Sequence, residues 1–294
     1  MFEGSNVALV TPMDADGAVD YSALDALVDW HIEAGTQGLV AVGTTGESAT
    51  LSVDEHVAVI RRVIEVTAGR VPVIAGTGAN STAEAIALTQ EAEAAGADGA
   101  LVVTPYYNKP PQEGLYRHYL AIAEVSTIPI ILYNVPGRTG CDLAPATVER
   151  LAAHPRIVAL KEAVGDPQRV AELRRRLPPP FVLLSGDDGT SADAMLAGFD
   201  GVISVTANVV PELMRQLCDA ARSGDESAAR AADAPMAGLH QALFLDPNPI
   251  PVKWALHLMK RIGPGIRLPL VPMQAQFEAP LKTALADAGV PLEN

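Results

Sequence analysis

Cysteine is nearly absent from the 294-residue chain. Cys141 and Cys218 are its only two, so no disulfide framework can organise it and a reducing compartment is expected. No basic run occurs and the formal charge is −14, which argues against nucleic acid as a partner. The acidity is spread along the chain, as on a solvated surface. No apolar stretch approaches the roughly 18 residues of a membrane span. The opening MFEGSNVALVTP lacks the basic segment and long apolar run of a signal peptide. A cytoplasmic globular protein with no membrane partner is expected. The histidines at 31, 56, 118, 154, 240 and 257 show no ligand-type spacing, so metal ligation finds no support. The acidic pair Asp187-Asp188 could hold Mg²⁺, but nothing else in the chain points to phosphate chemistry. A serine or cysteine nucleophile has no recognisable elbow.

What the chain does contain is a recurrent pattern. Short runs rich in Val, Ile and Leu begin at Asn6, Gly38, Val71, Gly99, Ile128, Arg156, Phe181 and Gly201, at intervals of roughly 20–34 residues. They show no polar alternation, as expected of strands covered on both faces in a parallel sheet. Between them lie segments of helical spacing such as YSALDALVDWHIEAG and STAEAIALTQEAEAAG. The second has Ser81 and Glu84 as a start signal and Gly96 as a stop. Eight βα units in series predict an α/β fold, a (β/α)₈ TIM barrel. An open doubly wound sheet is disfavoured, because the first glycine-rich turn, GTTGES, follows the second strand and lacks the dinucleotide spacing. No strand pattern follows Ala207. The expectation is a barrel over residues 1–224 and a C-terminal helical appendage over 225–294, broken by LDPNPIP and GPG.

In such barrels chemistry sits where strands end. The strand ends here supply Gly43 to Glu47, Gly76 to Gly78, Thr104 to Tyr107, Tyr133-Asn134 with Arg138 beyond, Lys161, Ser185 to Asp187, and Ser204. Lys161 is one of five lysines and the only one that ends an apolar run; Lys109, Lys253, Lys260 and Lys282 are expected in loops or amphipathic helices, as solvated cations. An ammonium in a barrel mouth either loses its proton and becomes a nucleophile toward a ketone, or pairs with Glu162 or Asp187. Tyr133, one strand earlier, could shuttle protons beside it, or fill the core. GTTGE offers hydroxyls and backbone N–H groups for a small anion, or is simply a tight βα turn. Arg138 suits a carboxylate as a bidentate donor, or is solvated surface. Tyr106 and Tyr107 are adjacent in a proline-rich loop, where one can face its own site and the other a neighbouring subunit.

Taken together, VGTTGES, TPYYNKP, ILYNVPGRTG, ALKEA and LLSGDD resemble the dihydrodipicolinate synthase family, over essentially the whole chain. The resemblance implies a pyruvate-dependent class I aldolase-type enzyme of lysine and diaminopimelate biosynthesis. It implies that Lys161 forms a Schiff base with pyruvate, with no metal or organic cofactor. Tyr133 would be the proton shuttle, linked through Thr44 to Tyr107 of a partner subunit. Thr45 would hold the pyruvate carboxylate, Gly186 and Ile203 would line its pocket, and Arg138 would bind L-aspartate 4-semialdehyde. The family is typically a homotetramer, a dimer of dimers. Ser48, Ala49, His56, Asn80, Glu84 and Tyr106 match positions that bind feedback lysine in regulated members. Val53 departs from the histidine of some members, and Gly137 from a frequent serine or alanine. Two other readings stay open: a sibling aldolase such as N-acetylneuraminate lyase, against which Arg138 speaks, and a non-catalytic ligand-binding barrel.

Overall fold

A computed structural model describes residues 1–292. Eight parallel strands form a closed barrel in chain order: β1 (Gly4–Ala8), β2 (Gly38–Ala41), β3 (Val73–Gly76), β4 (Gly99–Val103), β5 (Ile130–Asn134), β6 (Ile157–Glu162), β7 (Val182–Ser185) and β8 (Gly201–Ser204). The helices are α1 (Tyr21–Glu33), α2 (Val53–Thr67), α3 (Thr82–Ala95), α4 (Gln112–Val125), the short α5 (Pro136–Thr139), α6 (Pro145–Leu151), α7 (Pro167–Arg176), α8 (Ser191–Leu196) and α9 (Pro211–Ser223). Beyond them come α10 (Glu226–Asp233), α11 (Ala237–Ala242), α12 (Ile250–Leu258) and α13 (Glu278–Asp287). The TIM barrel expected from the eight apolar runs is the fold.

Several strand limits shift by one or two residues from the apolar runs, the starts of β5, β6 and β7 moving to Ile130, Ile157 and Val182, and two further shifts have clear backbone reasons. The run at Val71 starts pairing only at Val73, since Pro72 has no N–H to donate. The run at Asn6 is strand from Gly4 and ends at Ala8; Val10 N–H leaves the sheet and donates to Asn208 Oδ1 at 3.1 Å. Closure between β1 and β8 sets Gly4 opposite Gly201. A Cβ at Gly201 would lie 2.2 Å from the Gly4 carbonyl oxygen, so this seam requires glycine. The helix read from Ser81 forms as expected: Ser81 Oγ accepts from the Glu84 N–H, and Gly96 ends the helix at φ +91 in the left-handed region.

The core is in two shells. Ala8, Val40, Ile74, Leu101, Ala159 and Leu184 are among the residues filling the barrel, while a larger apolar shell fills the space between strands and helices. Along β5 and β6 the strand period of two decides which shell each side chain enters. Ile131, Tyr133 and Ala159 point inward; Leu132 and Leu160 point outward. That parity positions the site.

Candidate active site

Tyr133 and Lys161 are register partners across β5 and β6, with Asn134 paired to Glu162 one step on. Tyr133 shares the inner shell, and the Lys161 ammonium lies 4.3 Å from the centre of its ring. Asn134 and Glu162 turn outward instead. There Asn134 Nδ2 donates to Glu162 Oε1 at 3.0 Å, and Arg169 Nε donates to Glu162 Oε2 at 2.7 Å. Glu162 is thus unavailable to Lys161, because neighbours on a strand face opposite sides. Asp187 Oδ2 accepts from the Thr190 hydroxyl at 2.6 Å. Among the described residues neither carboxylate forms an ion pair with Lys161.

Lys161 is 5 % exposed. Burial pulls its ammonium down from the ordinary lysine value to about 8; the negative field of Asp188 opposes that shift and the positive field of Arg138 adds to it. The same desolvation pushes the Tyr133 phenol up to about 12, partly offset by Arg138 and by a hydrogen bond with the Thr44 side chain. At neutral pH the phenol therefore keeps its proton. A base of lowered pKa beside a protonated hydroxyl acid can exchange a proton across a short gap.

These groups line a cavity of about 140 Å³ that also includes Thr45, Gly186 and Asp187. Thr44 to Gly46 form a single 3₁₀ turn, entered through Val42 at φ +54 and left through Glu47 at φ +57. That strained turn presents both threonine side chains to the cavity. Gly186 leaves room for the lysine: a Cβ there would lie 2.8 Å from Lys161 Cε. Arg138, on α5, reaches the same cavity and donates at 3.4 Å to the Asn248 carbonyl. Ile203 packs in the inner shell with Tyr133, and Val205, two residues on, is part of the cavity wall.

The two adjacent tyrosines part as their sequence allowed. Tyr107 is 88 % exposed at φ +75. Tyr106 lines a second cavity of about 280 Å³ with Ser48, Ala49, His56 and Glu84. Asn80 lies at its edge and donates to the Tyr106 carbonyl at 3.2 Å. Thr44, Val135 and Arg138 belong to the walls of both cavities.

Sequence reasoning missed three residues of the C-terminal region, Lys253 and His240 on helices and Asn248 in the turn before α12. Lys253 is not a solvated cation: it is 4 % exposed and hydrogen-bonded to buried Glu47, directly after the threonine turn. Asn248 Nδ2 donates to the Thr45 hydroxyl at 3.0 Å and its backbone oxygen meets Arg138. His240 Nδ1 bonds the Thr206 hydroxyl at 2.8 Å. The lysine embedded in the apolar run IPVKWAL was the available signal for the first; for the other two no local signal existed. Asp187 and Asp188 do not converge as a metal pair, since Asp188 Oδ2 accepts instead from the Val205 and Thr206 N–H groups at 2.9 and 2.8 Å.

Fold and site define a (β/α)₈ barrel with a buried, weakly basic lysine at the C-terminal ends of its strands. A family model described as the Dihydrodipicolinate synthetase family matches residues 1–288, and the chain belongs to that family. It is 59 % identical over 290 residues to the 4-hydroxy-tetrahydrodipicolinate synthase of Methylococcus capsulatus, covering 99 % of this chain and 100 % of the relative. The chloride-inhibited dihydrodipicolinate synthase of Acinetobacter baumannii, solved in complex with pyruvate, superposes with a TM-score of 0.98 at 55 % identity, over 99 % of this chain and 100 % of the other. The enzyme of Cyanidioschyzon merolae with lysine bound superposes at 0.95 with 40 % identity, over 99 % of each chain.

Proposed function

We propose that the protein condenses pyruvate with L-aspartate 4-semialdehyde to 4-hydroxy-tetrahydrodipicolinate, a carbon–oxygen lyase step of lysine and diaminopimelate biosynthesis. The observation that carries this reading is the Lys161 amine: buried, 4.3 Å from the centre of the Tyr133 ring and, among the described residues, without a carboxylate in an ion pair. Such an amine adds to the keto carbon of pyruvate. Tyr133 gives a proton to the departing hydroxyl, water leaves, and a cationic imine on Lys161 remains. Loss of a methyl proton, drawn off through Tyr133 and Thr44, turns it into an enamine. The enamine carbon adds to the aldehyde, and the amino group of the second substrate displaces Lys161 as the ring closes. Every proton moves between substrate, water and these side chains, so the chemistry calls for no metal or organic cofactor.

Thr45 and the adjoining N–H groups hold the pyruvate carboxylate, and Arg138 clamps that of the aldehyde substrate. Tyr107 completes the relay in a partner subunit of a homotetramer; its outward, strained placement and 88 % exposure support this role. The second cavity takes L-lysine as a feedback inhibitor through Ser48, Ala49, His56, Asn80, Glu84 and Tyr106. Its carboxylate, imidazole and phenol suit an amino acid, and the walls it shares with the first cavity give the ligand a route to Thr44.

A coupled assay with both substrates, run beside borohydride trapping with pyruvate alone, tests the proposal. Turnover and a stable adduct on Lys161 are expected. An unmodified Lys161 sinks the Schiff-base reading, and cleavage of N-acetylneuraminate without consumption of the semialdehyde moves the protein to the sibling activity.

A further inference from the structure

The mechanism above leaves one buried charge unused. Asp188 is 4 % exposed and lies two residues after Gly186, where an added Cβ would meet Lys161 Cε at 2.8 Å. Its Oδ2 is gripped by two backbone N–H groups, of Val205 at 2.9 Å and Thr206 at 2.8 Å. Val205 is itself a wall of the reaction cavity, so the carboxylate stands directly behind that wall. Of the other buried acids, Glu162 is neutralised by Arg169 at 2.7 Å and Glu47 by Lys253, while Asp246 accepts from Gln274 at 3.3 Å. Among the described residues, Asp188 has no cationic side chain in an ion pair. Lys161 has no carboxylate in one either.

A second tier braces this arrangement. The Thr206 hydroxyl bonds His240 Nδ1 at 2.8 Å, and His240 Nε2 meets Asp233 Oδ1 at 3.2 Å. Thr206 is fully buried and cannot reach a substrate, so the Thr206–His240–Asp233 chain is no catalytic triad. What it fixes is the peptide whose N–H holds Asp188. The brace comes from α10 and α11, outside the eight βα units.

Resting on the Schiff-base reading, we infer that Asp188 is the fixed counter-charge of the cationic imine, and that His240 is a positioning residue acting on it through Thr206. A negative charge held in place in a low-dielectric wall favours the cation over the neutral amine plus ketone without needing to reorganise. Two N–H donors hold the carboxylate in place, and the absence of a direct ion pair among the described residues keeps the amine from being tied up. The titratable and charged groups on the elements packed around Lys161 and Asp188 are Tyr133 on β5, Arg138 on α5, Glu162 with Arg169, Asp187, the Cys218 thiol on α9, and His240 behind Thr206. Of the acids among them, Glu162 faces the other side of its strand and Asp187 is engaged by Thr190.

The test is Asp188→Asn in the full-length protein, read by the pH dependence of borohydride-trapped pyruvate adduct and by KM for pyruvate. Loss of the negative charge disfavours every cationic form. The acidic limb of trapping is expected to move down by about one pH unit, while KM for pyruvate rises about tenfold. Adduct must still form on Lys161; if none forms in the unaltered protein, it is the Schiff-base reading that fails. Thr206→Val leaves the charge but removes the brace, and is expected to raise KM for pyruvate about threefold, with recovery in Thr206→Ser. An unmoved limb and unchanged KM in Asp188→Asn overturn the inference. Should that variant not fold, the Thr206 pair decides, and equal KM values in the Val and Ser variants overturn it.

Discussion

The Lys161 ammonium and the Tyr133 ring stand 4.3 Å apart because their residues occupy the same register step on adjacent strands. Burial moves their protons in opposite directions, lowering the amine to about 8 and raising the phenol to about 12.

Lys161 should lower the stability of its own fold. Its pKa falls from 10.5 to about 8 on folding, so between these values the unfolded chain binds more protons and stability rises with pH. Below about 8 the native state holds an ammonium it would rather release. Lys161→Met is therefore expected to abolish the pyruvate adduct while stabilising the fold at pH 7 by on the order of 3 kcal/mol. Chemical denaturation at pH 7 and pH 10 measures both ends; a Met variant less stable than the parent at pH 7 contradicts the desolvated amine.

Gly186→Ala isolates the steric requirement at the wall. The backbone there does not need the left-handed region, but the new Cβ would sit 2.8 Å from Lys161 Cε. The lysine stem must shift, so adduct formation should slow by roughly tenfold or more, as expected when a reacting group is displaced by a fraction of an ångström. Thermal melting should change little. Normal trapping rates by quenched-flow mass spectrometry would show that the stem has room to spare.

Arg138→Ala should separate the two half-reactions. The guanidinium is held by one long bond, 3.4 Å to the Asn248 carbonyl, which leaves most of its donors free for a substrate. Pyruvate adduct should still form on Lys161, whereas KM for the semialdehyde rises roughly 100-fold through loss of a charge-assisted pair. Equal KM values for both substrates in variant and parent would remove Arg138 from the site.

Lys253→Met breaks a buried pair on one side only. Glu47, on the exit of the threonine turn, would be left in the interior without its cation, at a cost of about 3–5 kcal/mol. The double variant Lys253→Met, Glu47→Leu should recover most of that stability while leaving activity depressed, because the turn bearing Thr44 and Thr45 loses its tether. Urea titrations of the two variants, with turnover measured alongside, compare the effects. Single and double variants of equal stability would mean the pair is not coupled.

Much of this was legible along the chain. Apolar runs without alternation demand cover on both faces, and their regular spacing leaves a barrel as the economical closure. The same logic brings Lys161, Tyr133, Thr44, Thr45, Gly186 and Arg138 to one end, because strand ends in such a barrel share a face. The eighth strand's Ile203, which the resemblance gives to the pyruvate pocket, packs in the inner shell, and Val205 stands in the cavity wall; a run of apolar residues does not say where the strand stops and the mouth begins.

Sequence by itself fixed the number of units, the face that carries chemistry and the presence of a lysine at an apolar run's end. Whether that lysine was free or paired lay beyond it: Glu162 is its immediate neighbour, and only the pleat shows that the acid turns outward to Arg169. The partners of Lys253, Asn248 and His240 lie 206, 203 and 34 residues away. No local pattern records such distant pairings, because a buried polar group is satisfied by whatever the folded chain carries past it. Tertiary structure alone decided which charges cancel and which remain.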